Sequence, residues 1–138
     1  MSDRTVLALL PPAGEGAPRR PGACIEQSRR YRLLSQIGEG GMGEVWRALD
    51  ETLDREIAIK FLKPDVPTPY RRRFRREARI AAHCDHPNLV RVLDAGARGG
   101  DEWLAMELLI GRDLGELVET GGRLGVPVLL DAFRQALA

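Results

Sequence analysis

The chain has 138 residues, 43% of them hydrophobic and 30% charged, which is room for about one soluble domain. A net charge of +1 gives no global bias toward nucleic acid or an acidic surface, and two distant cysteines, Cys24 and Cys84, do not make a disulfide framework or a ligand quartet. The early apolar run VLALL (6–10) is too short for a signal-peptide core, Asp3 spoils the basic region before it, and no stretch is long enough to span a bilayer, so a cytoplasmic chain is expected.

Taken in chain order, residues 1–30 read as a flexible segment, because PPAGEGAPRRPGACIEQSRR (11–30) is rich in Pro, Gly, Ala and Arg with almost nothing to bury. Folded sequence starts near Tyr31. YRLLSQI (31–37), EVWRALD (44–50) and REIAIKFL (55–62) read as strands, with ETLD (51–54) suiting a hairpin link. A helix follows, with Thr68 as cap and Pro69 in the first turn, and runs to about Cys84, where HPN (86–88) breaks it. NLVRVLDA and EWLAMELL read as two further strands. Beyond them, Asp113 suits the N-cap of a helix with Glu116 at its third position, and positions 126, 129, 130, 133 and 137 form a helical apolar stripe. No internal repeat is visible.

Two clusters carry the chemistry. In IGEGGMGEVW (37–46), glycines at 38, 40 and 43 match a GxGxxG pattern used by two unrelated nucleotide sites. In one, the loop opens a helix; in the other it joins two antiparallel strands. The residues after Gly43 have no helical period and another strand follows, which favours the second. Glycine is expected at 38, 40 and 43 so that backbone amides can approach phosphate oxygens, or because a side chain would strain the turn. A merely flexible hairpin is the alternative.

The second cluster is IAIK (57–60), a lysine in an otherwise apolar strand, with Ala58 and Lys60 sharing a face. A lysine there is costly to bury without a partner, unless it snorkels from an edge. Phe74, Ala78 and Ala81 mark one face of the helix, and Glu77 is expected on that face as the acid for Lys60, while most of the arginines fan outward. The alternative is a surface pair between Glu77 and Arg73. The basic block RRRFRRE (71–77) reads as a solvated face or an anion site, without the aromatic platform that nucleic acid would need. His83, Cys84 and His86 lack a fourth ligand and sit at a helix end, so no metal site is expected.

GEGGMGEV, IAIK, FRREARIAAHCDHPNLVRVLDAG and WLAMELL together resemble the amino-terminal lobe of a bacterial, eukaryotic-like serine/threonine protein kinase, over most of the chain from Tyr31. The resemblance implies an α+β fold: a kinase N-lobe (31–110) with a five-stranded antiparallel sheet and one long helix, then two helices of an incomplete C-lobe (111–138). It implies an ATP site made by Ile37, Gly38, Glu39, Gly40, Gly41, Met42, Gly43, Val45, Ala58, Lys60, Met106, Glu107, Leu109 and Asp113. Lys60 would hold phosphates and pair with Glu77, the two catalytic residues implied here. Met106 would be the gatekeeper, Glu107 to Leu109 the hinge, and Asp113 would sit near the ribose.

In the complete domain Mg2+ is expected, but this chain has no HRD, no DFG, and Asn88 as its one asparagine, so its ligands are absent here. The chain is therefore expected to be truncated before the catalytic loop and inactive alone. Expected partners are ATP and a protein substrate or partner kinase, with no nucleic acid and no membrane. A non-catalytic nucleotide-binding or kinase-pairing module, and a product without function, stay open as alternatives.

Overall fold

The computed structural model describes residues 19–25, 30–98, 101–112, 114–121 and 125–136. Its centre is one antiparallel sheet: β1 (Cys24–Ile25), β2 (Tyr31–Glu39), β3 (Gly43–Asp50), β4 (Arg55–Leu62), β5 (Val92–Arg98) and β6 (Asp101–Glu107), in the order β1-β2-β3-β4-β6-β5. Helix α1 (Thr68–Ala81) lies between β4 and β5, and α2 (Leu114–Gly121) and α3 (Val126–Ala136) follow β6. Among the described residues no helix is long and apolar enough to cross a membrane.

Period-two alternation decides which face of the sheet is core. On β4, Ile57, Ile59 and Phe61 point to one side and meet Trp46 and Ala48 of β3, Leu33 and Tyr31 of β2, and Trp103 and Ala105 of β6. All of these are buried, and each large aliphatic among them is worth about 1.5–3 kcal/mol of transfer free energy. Tyr31 meets Trp103 edge-on, with ring centroids 5.6 Å apart and planes at 72°. The opposite face of the same strands carries Val45, Ala58, Lys60, Leu104 and Met106.

The sheet has six strands rather than the expected five. Cys24–Ile25 pairs with Tyr31 and Arg32, and Ile25 buries itself in the core cluster, an apolar residue hidden in a composition that otherwise reads as linker. Arg19 also belongs to the fold: its guanidinium stacks 3.9 Å from the centroid of Phe61 and pairs with Glu44 and, at 2.7 Å, with Asp101. Residues 1–18 and 26–29 lie outside the described residues.

The β3–β4 hairpin is closed by a buried acid. Asp50 accepts hydrogen bonds from the backbone N–H groups of Thr52 and Leu53 and a two-point pair from Arg30, and Asp54 supplies the left-handed residue of the turn at φ 47°. These bonds, the Arg30 pair foremost, hold the Asp50 carboxyl below its ordinary range despite burial.

Helix α1 departs from expectation at both ends. Its N-cap is Pro67, with no side-chain cap, and Thr68 is already helical; at the other end it stops at Ala81, with Ala82 and His83 in a turn. β5 starts at Val92, later than NLVRVLDA suggested, because Asn88 and Leu89 form a turn anchored on His86. The Asn88 side chain donates to the Gln135 carbonyl at 2.8 Å, so the HPN segment ties the sheet domain to α3. On α3, Leu130 and Phe133 are exposed; Leu137 lies outside the described residues.

Candidate functional site

The glycine-rich loop is the tip of the β2–β3 hairpin. Glu39 faces Glu44 and Gly38 faces Val45, with an irregularity between Gln36 and Gly38 that leaves Ile37 out of register and half exposed. At the tip, the Gly40 N–H donates to the Gly43 carbonyl at 2.8 Å, and the Met42 carbonyl accepts from Lys63 N–H at 3.0 Å. Glu39 is committed to Lys63, at 2.9 Å, which pulls its carboxyl below the ordinary range and raises the lysine.

The glycines divide into two kinds. A Cβ at Gly43 would lie 2.1 Å from the Phe61 carbonyl oxygen, so the fold itself requires glycine there. At Gly40 and Gly41 a Cβ would meet open space, and at Gly38 it would make ordinary contact with Val45. None of the four has a positive φ, so the strain half of the expectation fails at 38 and 40.

Below the hairpin, pairing register lines up the site. Gly38, Val45, Lys60 and Leu104 form one cross-strand row through β2, β3, β4 and β6, and Ala58 and Met106 stand opposite each other in the next row but one. Because directly paired residues point the same way, Val45, Ala58, Lys60, Leu104 and Met106 share one face, the face away from the core. Ala58 is buried; the other four are half-buried, leaving a shallow apolar floor with one ammonium group on it. Past Met106, the Glu107 N–H is taken by the Arg91 carbonyl at 3.0 Å, and the Glu107 carboxylate accepts from Arg91 N–H. Leu109 is exposed, and among the described residues no backbone hydrogen bond engages it. Asp113 lies outside the described residues.

The expected Lys60–Glu77 pair is not formed. Glu77 is 61% exposed and accepts from Arg73 at 2.7 Å, the i, i+4 pairing given above as the alternative. Among the described residues Lys60 makes no ion pair. Ala78 is the one buried residue of α1; Arg71 and Arg75 reach Glu102, while Arg72, Arg73, Arg76 and Arg79 are exposed, as expected of most of the arginines. Glu102, absent from the sequence reading, is 3% exposed on the site side of β6. An acid two residues before Leu104, on the face shared with Lys60, was the available signal. Burial raises its pKa, but the bonds from Arg75 and Arg71 outweigh burial and the net shift is downward.

The ring nitrogens near the end of α1 are engaged by backbone: His83 Nδ1 is 2.7 Å from the Arg79 carbonyl, and His86 Nδ1 accepts from Asn88 N–H.

The site is thus a glycine-tipped antiparallel hairpin over a strand lysine, followed by a helix and a β5–β6 pair. The family model for the protein kinase domain matches residues 31–137. The chain belongs to the protein kinase domain family. This kinase chain is 38% identical over 122 residues to the serine/threonine-protein kinase PknA of Mycobacterium tuberculosis, covering 83% of the chain and 28% of the relative. It is 40% identical over 113 residues to the serine/threonine-protein kinase PrkC of Bacillus subtilis, covering 80% of the chain and 17% of the relative. Among solved structures, the Mycobacterium tuberculosis PknI kinase domain superposes with a TM-score of 0.72 at 28% identity, covering 83% of the chain and 46% of that domain. The kinase chain therefore spans less than half the length of the relatives it matches.

Proposed function

We propose that the chain is the ATP-binding portion of a serine/threonine protein kinase, acting in the cytoplasm. The observation that carries this reading is the shared face of Val45, Ala58, Lys60 and Met106 beneath a hairpin whose Gly40 and Gly41 serve no packing need. Glycines with open space around them suit a loop whose amides must approach a ligand. Val45 and Ala58 would cover adenine, Met106 would back it, the backbone from Glu107 to Leu109 would meet its edge, and Lys60 would hold phosphate.

The residues present fit a nucleotide's apolar base and its anionic phosphates, and they bind and orient. ATP would supply the phosphoryl group. The HRD motif, whose aspartate would accept a substrate hydroxyl proton, and the DFG motif, whose aspartate would help hold magnesium, do not occur in this sequence, so the chain as given is not expected to phosphorylate protein by itself. Bound phosphate would place negative charge against Lys60, which is otherwise without a partner among the described residues.

A second reading, a nucleotide-binding or kinase-pairing module without transfer activity, is favoured by Glu77 lying on Arg73 rather than Lys60. Thermal shift with millimolar ATP, with and without magnesium, tests the common part of both readings. A rise in Tm that Lys60→Met abolishes supports them; no shift in well-folded protein refutes them.

A further inference from the structure

Residues 19–25 precede the stretch that the kinase family model matches, yet they are tied to the sheet at both ends. At one end β1 pairs with Tyr31 and Arg32, the Gly22 N–H donates to the Leu33 carbonyl at 2.7 Å, and the Leu33 N–H donates to the Ala23 carbonyl at 2.9 Å. Between the ends is a turn. The Ala23 N–H closes it on the Arg20 carbonyl at 3.1 Å, and Gly22, at φ 84°, holds the left-handed conformation that suits glycine.

The turn carries Arg19 toward the glycine-rich end of the core face. There its guanidinium stacks on Phe61 of β4, pairs with Glu44 of β3 and meets Asp101 of β6 at 2.7 Å, so one side chain bridges three strands. Arg19 is 15% exposed, a setting in which a planar guanidinium holds a stack and two carboxylates more firmly than a surface ion pair would. Among the described residues Glu44 and Asp101 have no other ion-pair partner.

Glu44 connects this contact to the site. It lies between Gly43, where a Cβ would strike the Phe61 carbonyl, and Val45 on the site face. Glu44 and Phe61 are directly paired, so the Glu44 side chain points to the core face and that of Val45 to the other. Arg19 therefore grips the base of the hairpin from behind, while its tip is held by the Gly40–Gly43 and Met42–Lys63 backbone bonds and the Glu39–Lys63 pair.

We propose that Arg19 is a positioning residue for the nucleotide site: by fixing Glu44 against Phe61 and Asp101 it sets the base of the glycine-rich hairpin over Val45, Ala58 and Lys60. The proposal rests on the nucleotide reading given above. Arg19 acts through Glu44, across the thickness of the sheet. Without the guanidinium, Glu44 is a partly buried carboxylate beside an aromatic ring, and turning it out to water loosens β3 at Gly43.

Amide exchange on the full chain, parent against Arg19→Ala, tests the grip without nucleotide. Exchange at Gly40, Gly43 to Val45 and Lys63 should rise about tenfold more than at Arg47 to Asp50, the other end of β3. Unchanged exchange at the hairpin, or a uniform rise along β3, which a merely stabilising contact would give, overturns the proposal.

Calorimetric titration of ATP supplies the second readout. Arg19→Ala and Glu44→Ala should each weaken binding by about three- to tenfold, and the double variant should be no weaker than either single one. Parent-like affinity in Arg19→Ala, or losses that add in the double variant, overturns the positioning role. A local rise in exchange with no ATP bound by any variant, parent included, supports the grip and refutes the nucleotide reading. If Arg19→Ala does not fold, Arg19→Lys, which keeps the charge and loses the planar fork, should give the same changes at smaller size; parent-like exchange and affinity there overturn the proposal.

Discussion

Substituting Gly96 by alanine should damage the core more than its size suggests. Gly96 faces Trp103 across the β5–β6 pair, and a Cβ there would lie 2.4 Å from indole Cε2 and Cζ2 and 2.6 Å from Nε1. Ordinary carbon contact begins near 3.5 Å, so the indole would have to retreat by about 1 Å. It has little room to do so: Trp103 is 6% exposed and braced edge-on by Tyr31. Overpacking of this kind costs about 1–3 kcal/mol and occasionally more, and the rigid aromatic partner puts Gly96→Ala at about 3 kcal/mol. Against a typical total of about 5–15 kcal/mol, that is a drop of roughly 10 °C in Tm for a domain of this size. Urea titration followed by tryptophan fluorescence measures it. A loss under about 0.5 kcal/mol would mean that Trp103 does not pack on Gly96, and the arrangement of β5 against β6 would be refuted.

Other substitutions give contrasting signs. Gly40→Ala and Gly41→Ala should leave thermal stability within about 1 kcal/mol of the parent, since the added methyls meet nothing, while weakening ATP binding in the calorimeter. A large loss of stability with unchanged ATP affinity would reverse the reasoning. Stability should also be acid-sensitive in a set direction. Asp50 and Glu102 both have folded pKa values below the ordinary carboxylate range, so their contribution is fully present above about pH 5 and is lost as pH falls through that range toward the folded values. Asp50→Asn should lower stability at pH 7 and flatten its fall between pH 5 and 3, as read by urea midpoints. Asn88→Ala should free α3 from the HPN turn, raising amide exchange across Val126–Ala136 without moving the exchange of β4.

Strand alternation made most of the sheet legible in the sequence. REIAIKFL is β4 with both ends as read, because Ile57, Ile59 and Phe61 alternate into the core and leave no competing period. β1 was missed because a two-residue strand carries no period, and its single signal, Ile25, sits among linker-like residues. Arg19 was invisible for a related reason: its partners Glu44, Phe61 and Asp101 come from three strands that only the folded sheet brings together.

The site was half legible. Val45, Ala58, Lys60 and Met106 share a face because register and alternation follow from strand length. Glu77 was misplaced because helical spacing gives relative angles but not where the buried arc ends. Phe74, Ala78 and Ala81 do form the less exposed side of α1, as their spacing suggested, but Glu77 lies at the edge of that arc, exposed, and is taken by Arg73, while Glu102 is met by Arg71 and Arg75.

Nucleotide binding through Lys60 is the claim on which the functional account stands. Titration of ATP into the intact chain, parent against Lys60→Met, measures it directly. The account predicts saturable binding in the parent and a loss of about tenfold or more in the variant, the scale of one charge-assisted phosphate contact. Equal binding by both, or none by a folded parent, would contradict it.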